Sequence, residues 1–119
     1  MNIPILVASV EFTATGVVQT TSLPMQYIPS KYALEVVGYD INGAVIAAGA
    51  WDVLLLGSLT GKVFNETSKI LEHANGAQSN GDVEWSAGNF YPVRFAQIKC
   101  KALALGGASK IVVTVLGIK

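Results

Sequence analysis

Apolar and polar residues alternate with a period of two along nearly every long segment of this 119-residue chain. This spacing places successive side chains on opposite faces of a β-strand, whereas an amphipathic helix requires a period of 3.6. With the β-branched and aromatic content of some segments, it predicts strands at residues 5–14, 33–40, 44–56, 91–105 and 109–116. The pattern predicts an all-β protein, an antiparallel β-sandwich or jelly roll, in which residues 1–119 form a single domain.

Two turn sequences connect four of these segments in pairs. Asp40-Ile41-Asn42-Gly43 follows the segment 33–40, and Gly106-Gly107 follows the segment 91–105. Gly, Asn and Asp are frequent in tight turns because they tolerate the backbone angles that such turns need. Each turn therefore predicts a hairpin in which the two flanking segments pair with each other.

The composition of the strand faces predicts their surroundings. Segment 44–56 is apolar on both faces, which is typical of a central strand that is covered on each side. One face of segment 91–105 carries Gln97, Lys99 and Lys101, and we expect this face to be solvated.

Three stretches are less regular. Residues 16–30 contain two prolines and are interpreted as a long connection, either a solvent-exposed crossover or an arm that reaches a neighbouring subunit. Residues 1–30 could therefore include an extended arm. Residues 75–81 are rich in Asn and Gly and predict a loop tip. Residues 69–73 are compatible with a strand or with one helical turn.

Charged residues are scarce and balanced. Asp, Glu, Lys and Arg make up 13% of the chain, against about 25% in an ordinary soluble domain, while 51% of the residues are hydrophobic and the net charge is zero. A neutral surface of this kind favours association, so we expect a homo-oligomer or a component of a larger assembly. The chain lacks the basic footprint that nucleic acid or an anionic membrane requires.

No segment predicts a membrane span or a secretory signal. The most apolar stretch, residues 44–56, contains Asp52 and is shorter than the roughly 20 residues that a bilayer requires. The first residues show no basic region followed by a cleavage site. We therefore expect the protein to fold in the cytosol.

The chain offers few groups for chemistry. It has one histidine, His73, which we expect on the surface, and one cysteine, Cys100, which we expect to be buried. A metal site needs several such ligands. Asp82 and Glu84 point to one side of a predicted strand and are interpreted as a solvated face rather than a catalytic acid pair. We therefore expect no enzyme activity, no cofactor and no metal.

Aromatic residues and the single arginine allow two interpretations each. Trp51 and Phe95 are expected in the core, whereas Trp85 and Tyr91 could lie in the fold or contact another chain. Arg94 is expected to pair with a carboxylate inside the sandwich, and the alternative is a pair across an interface.

Three segments, Trp51–Gly61, Tyr91–Phe95 and Ala104–Val115, together resemble small β-sandwich virion proteins of tailed bacteriophages. In that group a strand ends in a Gly-Ser-Leu-Asp-Gly-like turn, an arginine lies on a later strand, and a Gly-rich hairpin closes the chain. Here Thr60 replaces the acidic residue of the turn. The resemblance implies a capsid decoration or cement protein that docks on the outside of a phage head and binds the major capsid protein.

Two functions follow as hypotheses. The first is a non-enzymatic structural protein of the virion, assembled in the host cytoplasm and located on the capsid surface. Its expected partner-binding residues are Ile3, Pro4, Ile5, Trp85, Phe90 and Tyr91. The alternative is a carbohydrate-binding module of a tail fibre or baseplate, in which Trp85 and Tyr91 stack on a sugar ring and Asp82 or Glu84 accepts hydrogen bonds from its hydroxyls.

Overall fold

The computed structural model describes residues 4–25, 31–74, 83–85 and 94–118, and within these ranges the chain is almost entirely β-structure. The strands are β1 (Pro4–Phe12), β2 (Val18–Gln19), β3 (Leu23–Pro24), β4 (Lys31–Tyr39), β5 (Ala50–Ser58), β6 (Lys69–Ala74), β7 (Val83–Trp85), β8 (Phe95–Ala104) and β9 (Lys110–Ile118). A short 3-10 turn at Glu66–Ser68 is the one helical element of the described residues. Residues 69–73 thus belong to a strand and not to a helical turn.

The strands form two antiparallel sheets. The first has the order β1-β9-β4-β7, and the second has the order β2-β8-β5-β6 with β3 also paired to β8. Because β2 and β3 follow each other along the same edge of β8, they act as one interrupted strand. Counted in this way, the orders 1-8-3-6 and 2-7-4-5 are those of a jelly roll. The predicted antiparallel sandwich is confirmed.

The core lies between the sheets and is built from alternate residues of the long strands. The strands β4, β9, β5 and β8 each direct one apolar face inward. The residues that are completely or almost completely shielded from solvent are Tyr32, Leu34, Val36, Val53, Leu55, Ala96, Ile98, Cys100, Ile111, Val113 and Val115. Burying one Val, Leu or Ile side chain contributes about 1.5–3 kcal/mol, so this layer is the main source of stability.

A β-bulge in β8 changes which residues face the core. Cys100 pairs with Val53 and Ala102 pairs with Asp52, which leaves Lys101 as the extra residue. A bulge shifts the alternation by one position. Leu103 is therefore buried with the core, while Ala102 is exposed, although strict alternation predicts the opposite.

The predicted hairpin of segments 91–105 and 109–116 is wrong, and that of segments 33–40 and 44–56 is limited to one isolated antiparallel bridge between Tyr39 and Val45. Strand β4 pairs with β7 and β9, while β5 lies in the other sheet. In the same way, β8 belongs to the second sheet and β9 to the first. Each of these strands has an apolar face that belongs to the shared core, so consecutive strands face each other across the core instead of pairing side by side. The connections 40–49 and 105–109 therefore form arches between the sheets.

Strand β5 has the predicted central position, but it begins later in the sequence than predicted. It is central in its sheet, and every residue from 53 to 58 is buried, including Leu54 and Leu56 on the face away from the core. The 3-10 turn lies against β5. The strand begins only at Ala50, however, because residues 44–49 belong to the connection from β4.

Residues 16–25 run along the edge of the second sheet instead of forming an irregular connection. The backbone N–H of Thr20 donates to the carbonyl of Ile98 at 2.9 Å, and that of Met25 donates to Arg94 at 2.8 Å. Thr20 also accepts a hydrogen bond at its Oγ1 from the backbone N–H of Ile98, at 3.1 Å. This part of the chain is an edge of its own domain, while residues 1–3 and 26–30 lie outside the described residues.

Candidate interaction surfaces

The structure separates the predicted partner-binding residues. Pro4 and Ile5 begin β1, where Pro4 pairs with Ile118, and Trp85 ends β7 on the opposite edge of the same sheet. Strands β9 and β4 lie between β1 and β7, so these two edge strands are about 14 Å apart. Ile3, Phe90 and Tyr91 lie outside the described residues, as does Asp82. Contact of these residues with a partner stays a prediction.

His73 is buried, so the prediction of a surface histidine is wrong. Its side chain is 5% exposed, and its ring meets the Trp51 indole edge-on with centroids 4.7 Å apart. Its Nδ1 lies 3.9 Å from an Oε2 of Glu84 on β7. Leu71, two residues earlier on the same strand, is also buried, so the period of two contained the signal for an inward-facing position.

The predicted internal ion pair of Arg94 is not found among the residues that the structure describes. Its side chain is exposed and has no carboxylate partner among the described residues, although its backbone N–H donates to the carbonyl of Ser58 at 3.2 Å. Trp51 is buried as predicted, but Phe95 is only partly buried. Gly61 lies over the Phe95 ring, and a Cβ at this glycine would stand 2.9 Å from its Cγ.

The outer face of the second sheet carries a network of opposite charges. Lys69 contacts Glu72 at 2.7 Å, and Glu66 contacts Lys99 at 3.3 Å and Lys101 at 3.6 Å. These ions neutralise one another, so the network presents little net charge. Among the described residues, no group of three His, Cys, Asp or Glu is placed to hold a metal ion.

Asp52 adjoins this network as part of a carboxyl pair that sequence reasoning missed. Burial, and then hydrogen bonding to Glu72, raises the pKa of Asp52. The hydrogen bond from Lys69, and then that from Asp52, lowers the pKa of Glu72. The two residues belong to neighbouring strands, where Asp52 pairs with Ala74 and Leu54 pairs with Glu72. Only the register of β5 against β6 reveals the pair.

Gln97 is not solvated, contrary to the prediction for its strand face. The side chain is buried, and its Nε2 donates to the carbonyl of Thr20 at 3.1 Å. The carbonyl of Thr20, in the edge segment that carries β2 and β3, therefore satisfies the buried side-chain amide of Gln97 on β8. Lys99 is partly buried on the same face, and Lys101 is exposed.

A shallow groove crosses the outer face of the first sheet. Its volume is about 120 Å³ and its lining residues are Ala33, Leu34, Glu35, Val83, Thr114 and Leu116. Sites for small molecules usually enclose about 300–1,000 Å³. The groove is therefore large enough for about one side chain and too small for a cofactor.

At one end of the sandwich the described loops are apolar. These are the loops 13–17, 40–49 and 105–109, which we call the apolar end, and several of their side chains point into solvent. The exposed fractions of Ile41, Val17 and Val45 are 88%, 66% and 65%. Asp40 is the only charged residue of these three loops.

Hydrogen bonds join the loops of the apolar end to one another and to the sheets. The N–H of Gly49 donates to Leu105 at 3.2 Å, that of Ser109 donates to Tyr39 at 2.8 Å, and that of Gly16 donates to Leu103 at 2.9 Å. The exposed apolar side chains therefore stand on a backbone with a defined conformation.

The turn that carries Ile41 is held by Asp40. The Oδ1 of Asp40 accepts hydrogen bonds from the N–H groups of Asn42 and Ala44, both at 2.9 Å. The N–H of Asp40 donates to the carbonyl of Ala44 at 2.9 Å, and that of Ile46 donates to Gly38 at 3.0 Å. The carboxylate thus caps its own turn, as aspartate often does.

Comparison with known proteins found no matching family, no similar curated protein and no similar solved structure. Among the described residues, no helix has the length and hydropathy that a membrane span requires.

Proposed function

We propose that this protein is a non-enzymatic structural component of a tailed-phage virion, a decoration or cement protein that binds the major capsid protein and stiffens the head. The observation that carries the proposal is the apolar end. Ile41 and Val45 are presented to solvent on a hydrogen-bonded turn, an arrangement that suits contact with another protein better than exposure to water.

Composition supports the same function. Eight large apolar side chains of the described residues are exposed on a domain in which only 13% of all residues are charged. Association removes such surface from water, and a stable interface buries about 1,200–2,000 Å² in total. A protein that occupies many equivalent sites on a lattice gains this stabilisation at each site. We propose self-association as a further contribution, with assembly in the host cytoplasm.

The fold is compatible with this role but does not decide it. Jelly rolls serve as viral capsid domains and as carbohydrate-binding domains, and one fold supports many functions. The resemblance of the segments around Gly57–Gly61 to phage virion proteins adds support for the first of these uses. The carbohydrate-binding hypothesis depends on Trp85 and Tyr91, and no contact of the described residues favours it.

Rebinding to stripped phage heads tests the proposal. Purified protein is mixed with heads from which decoration proteins have been removed, and the particles are imaged by electron microscopy. We expect added density at regularly repeated positions on the capsid surface. Absence of binding would contradict the proposal, and binding to a glycan array that Trp85→Ala abolishes would favour the carbohydrate-binding alternative.

A further inference from the structure

We infer that the apolar end is the surface through which the protein docks, and that its partner is an uncharged, apolar patch on the major capsid protein, an inference that rests on the proposed function. The alternatives are the groove of the first sheet, the opposite end of the sandwich and a lipid surface. Rigidity, charge and exposure favour the apolar end.

Rigidity lowers the cost of binding at this end. Ordering a flexible loop opposes association, whereas a loop that already has its bound conformation loses little entropy. The turn that carries Ile41 is fixed by the carboxylate of Asp40 on one side and by the hydrogen bond from Ile46 to Gly38 on the other. At Gly38 the strand and the turn approach so closely that a Cβ would overlap the carbonyl oxygen of Ile46.

Charge identifies the kind of partner. The loops 13–17, 40–49 and 105–109 contain no lysine or arginine. Lys110, the next residue along the chain, contacts Glu11 at 2.8 Å. Surfaces that bind anionic membranes or nucleic acid carry basic residues, which contact the lipid head groups or the phosphates. The single acidic group, Asp40, accepts two backbone hydrogen bonds. The surface that complements these three loops is therefore a neutral protein surface.

The opposite end of the sandwich supplies matched controls. Leu59 and Val63 are each 62% exposed there, close to the 65% of Val45, but Lys62 lies between them in the sequence. An aspartate at position 59 or 63 adds the same charge to a side chain of comparable exposure. Comparison of these controls with the Asp variants at positions 41 and 45 therefore separates a local effect at the apolar end from a general effect of added charge or lost hydrophobic surface.

The experiment compares binding of four variants to stripped heads by cosedimentation. We expect Ile41→Asp and Val45→Asp to weaken binding by about 30-fold or more, as for truncation of a central anchor residue. Leu59→Asp and Val63→Asp should bind within about threefold of the unsubstituted protein. Circular dichroism and thermal unfolding verify the folds, and Ile41→Ser is a milder substitution should Ile41→Asp fail to fold.

Salt and lipid provide further readouts. Because no ion pair is expected at the interface, the affinity should change little between about 50 mM and about 500 mM salt. Cosedimentation with vesicles of phosphatidylcholine and phosphatidylglycerol should show no binding. Binding to these vesicles that Ile41→Asp abolishes would overturn the assignment of a protein partner, and a steep loss of head binding with salt would overturn the neutral interface.

The outcomes separate this inference from the proposed function. If the unsubstituted protein binds heads and the Asp variants at positions 41 and 45 bind equally well, the protein is a head protein that docks elsewhere, and the inference is wrong. If the unsubstituted protein does not bind heads at all, both the function and the docking surface are wrong.

Discussion

The imidazole of His73 meets the indole of Trp51 edge-on, with ring centroids 4.7 Å apart and an interplanar angle of 68°. The pair joins β5 to its neighbour β6, and Glu84 of β7 lies 3.9 Å from the imidazole. Strands of both sheets therefore meet at this position. The aromatic contact is part of the side wall that closes the sandwich.

Removing the imidazole should destabilise this wall. Edge-to-face aromatic pairs contribute about 0.5–1.5 kcal/mol beyond burial, so we expect His73→Ala to lower the free energy of unfolding by about 2 kcal/mol. His73→Phe retains a ring beside Trp51 and should cost less. Urea unfolding monitored by tryptophan fluorescence measures both changes. Equal losses in the two variants would show that the ring contact contributes nothing.

Gly61 should tolerate substitution less well than Gly43. Both have a positive φ, 76° and 82°, but a Cβ would meet nothing within 4 Å at Gly43 and would meet the Phe95 ring at 2.9 Å at Gly61. Gly43→Ala should cost about 1 kcal/mol from the left-handed backbone alone. Gly61→Ala adds overpacking and should cost about 3 kcal/mol. Thermal and urea unfolding compare them, and similar values would contradict the contact with Phe95.

Asp52 should make stability depend on pH in an unusual direction. Its pKa is raised above the ordinary value of 3.8, mainly by burial. A raised pKa favours folding when the group is protonated, so this stabilisation is complete below 3.8 and is lost as pH rises through the folded pKa. Asp52→Asn should therefore raise the free energy of unfolding at neutral pH, and its advantage should disappear near about pH 3.

Glu72 provides the control of opposite sign. Its pKa is lowered from 4.5, first by the hydrogen bond from Lys69, so its stabilisation is present above 4.5 and is lost as pH falls through the folded pKa. Glu72→Gln should thus destabilise the protein at neutral pH and have little effect in strong acid. Urea unfolding of both variants, measured from about pH 3 to neutral pH, tests these expectations. The same sign of change for both at neutral pH would contradict the assigned pair.

Cys100 should be chemically inert in the folded protein. Its thiol is fully buried, burial raises its pKa, and its Sγ donates to the carbonyl of Ala102 at 3.2 Å. The thiolate is the reactive form, so an aromatic disulfide reagent should label Cys100 rapidly in urea and very slowly without it. Rapid labelling of the native protein would show that the core opens at the bulge.

The strands and their faces could be predicted largely from the sequence, because alternation is a local property of the chain. The pairing of strands could not. A turn such as Gly106-Gly107 has the same composition in a hairpin and in an arch, and the choice depends on the core that distant strands build together. The bulge at Lys101 could not be predicted either, because it is defined by the pairing of β8 with β5 and not by the sequence of β8 alone.

The polar groups of the structure were the least predictable part. The period of two places His73 on the inward face with Leu71 but does not reveal its neighbour Glu84 on β7, and Asp52 meets Glu72 because two strands share a register. Neither neighbour is close in the sequence. The apolar end was also missed, because Ile41 and Val45 look like ordinary residues of a hairpin and a strand until the chain is seen to cross between the sheets there.

The two arches have a consequence for how the protein folds. Residues that pair lie far apart along the chain, as Pro4 and Ile118 do at the edge of the first sheet. Domains dominated by such long-range pairing fold slowly, typically in milliseconds to seconds. The neighbour of β1 in its sheet is β9, which the ribosome makes after all the other described strands. The first sheet therefore closes only after translation has passed β9, and until then its strand edges are open to aggregation.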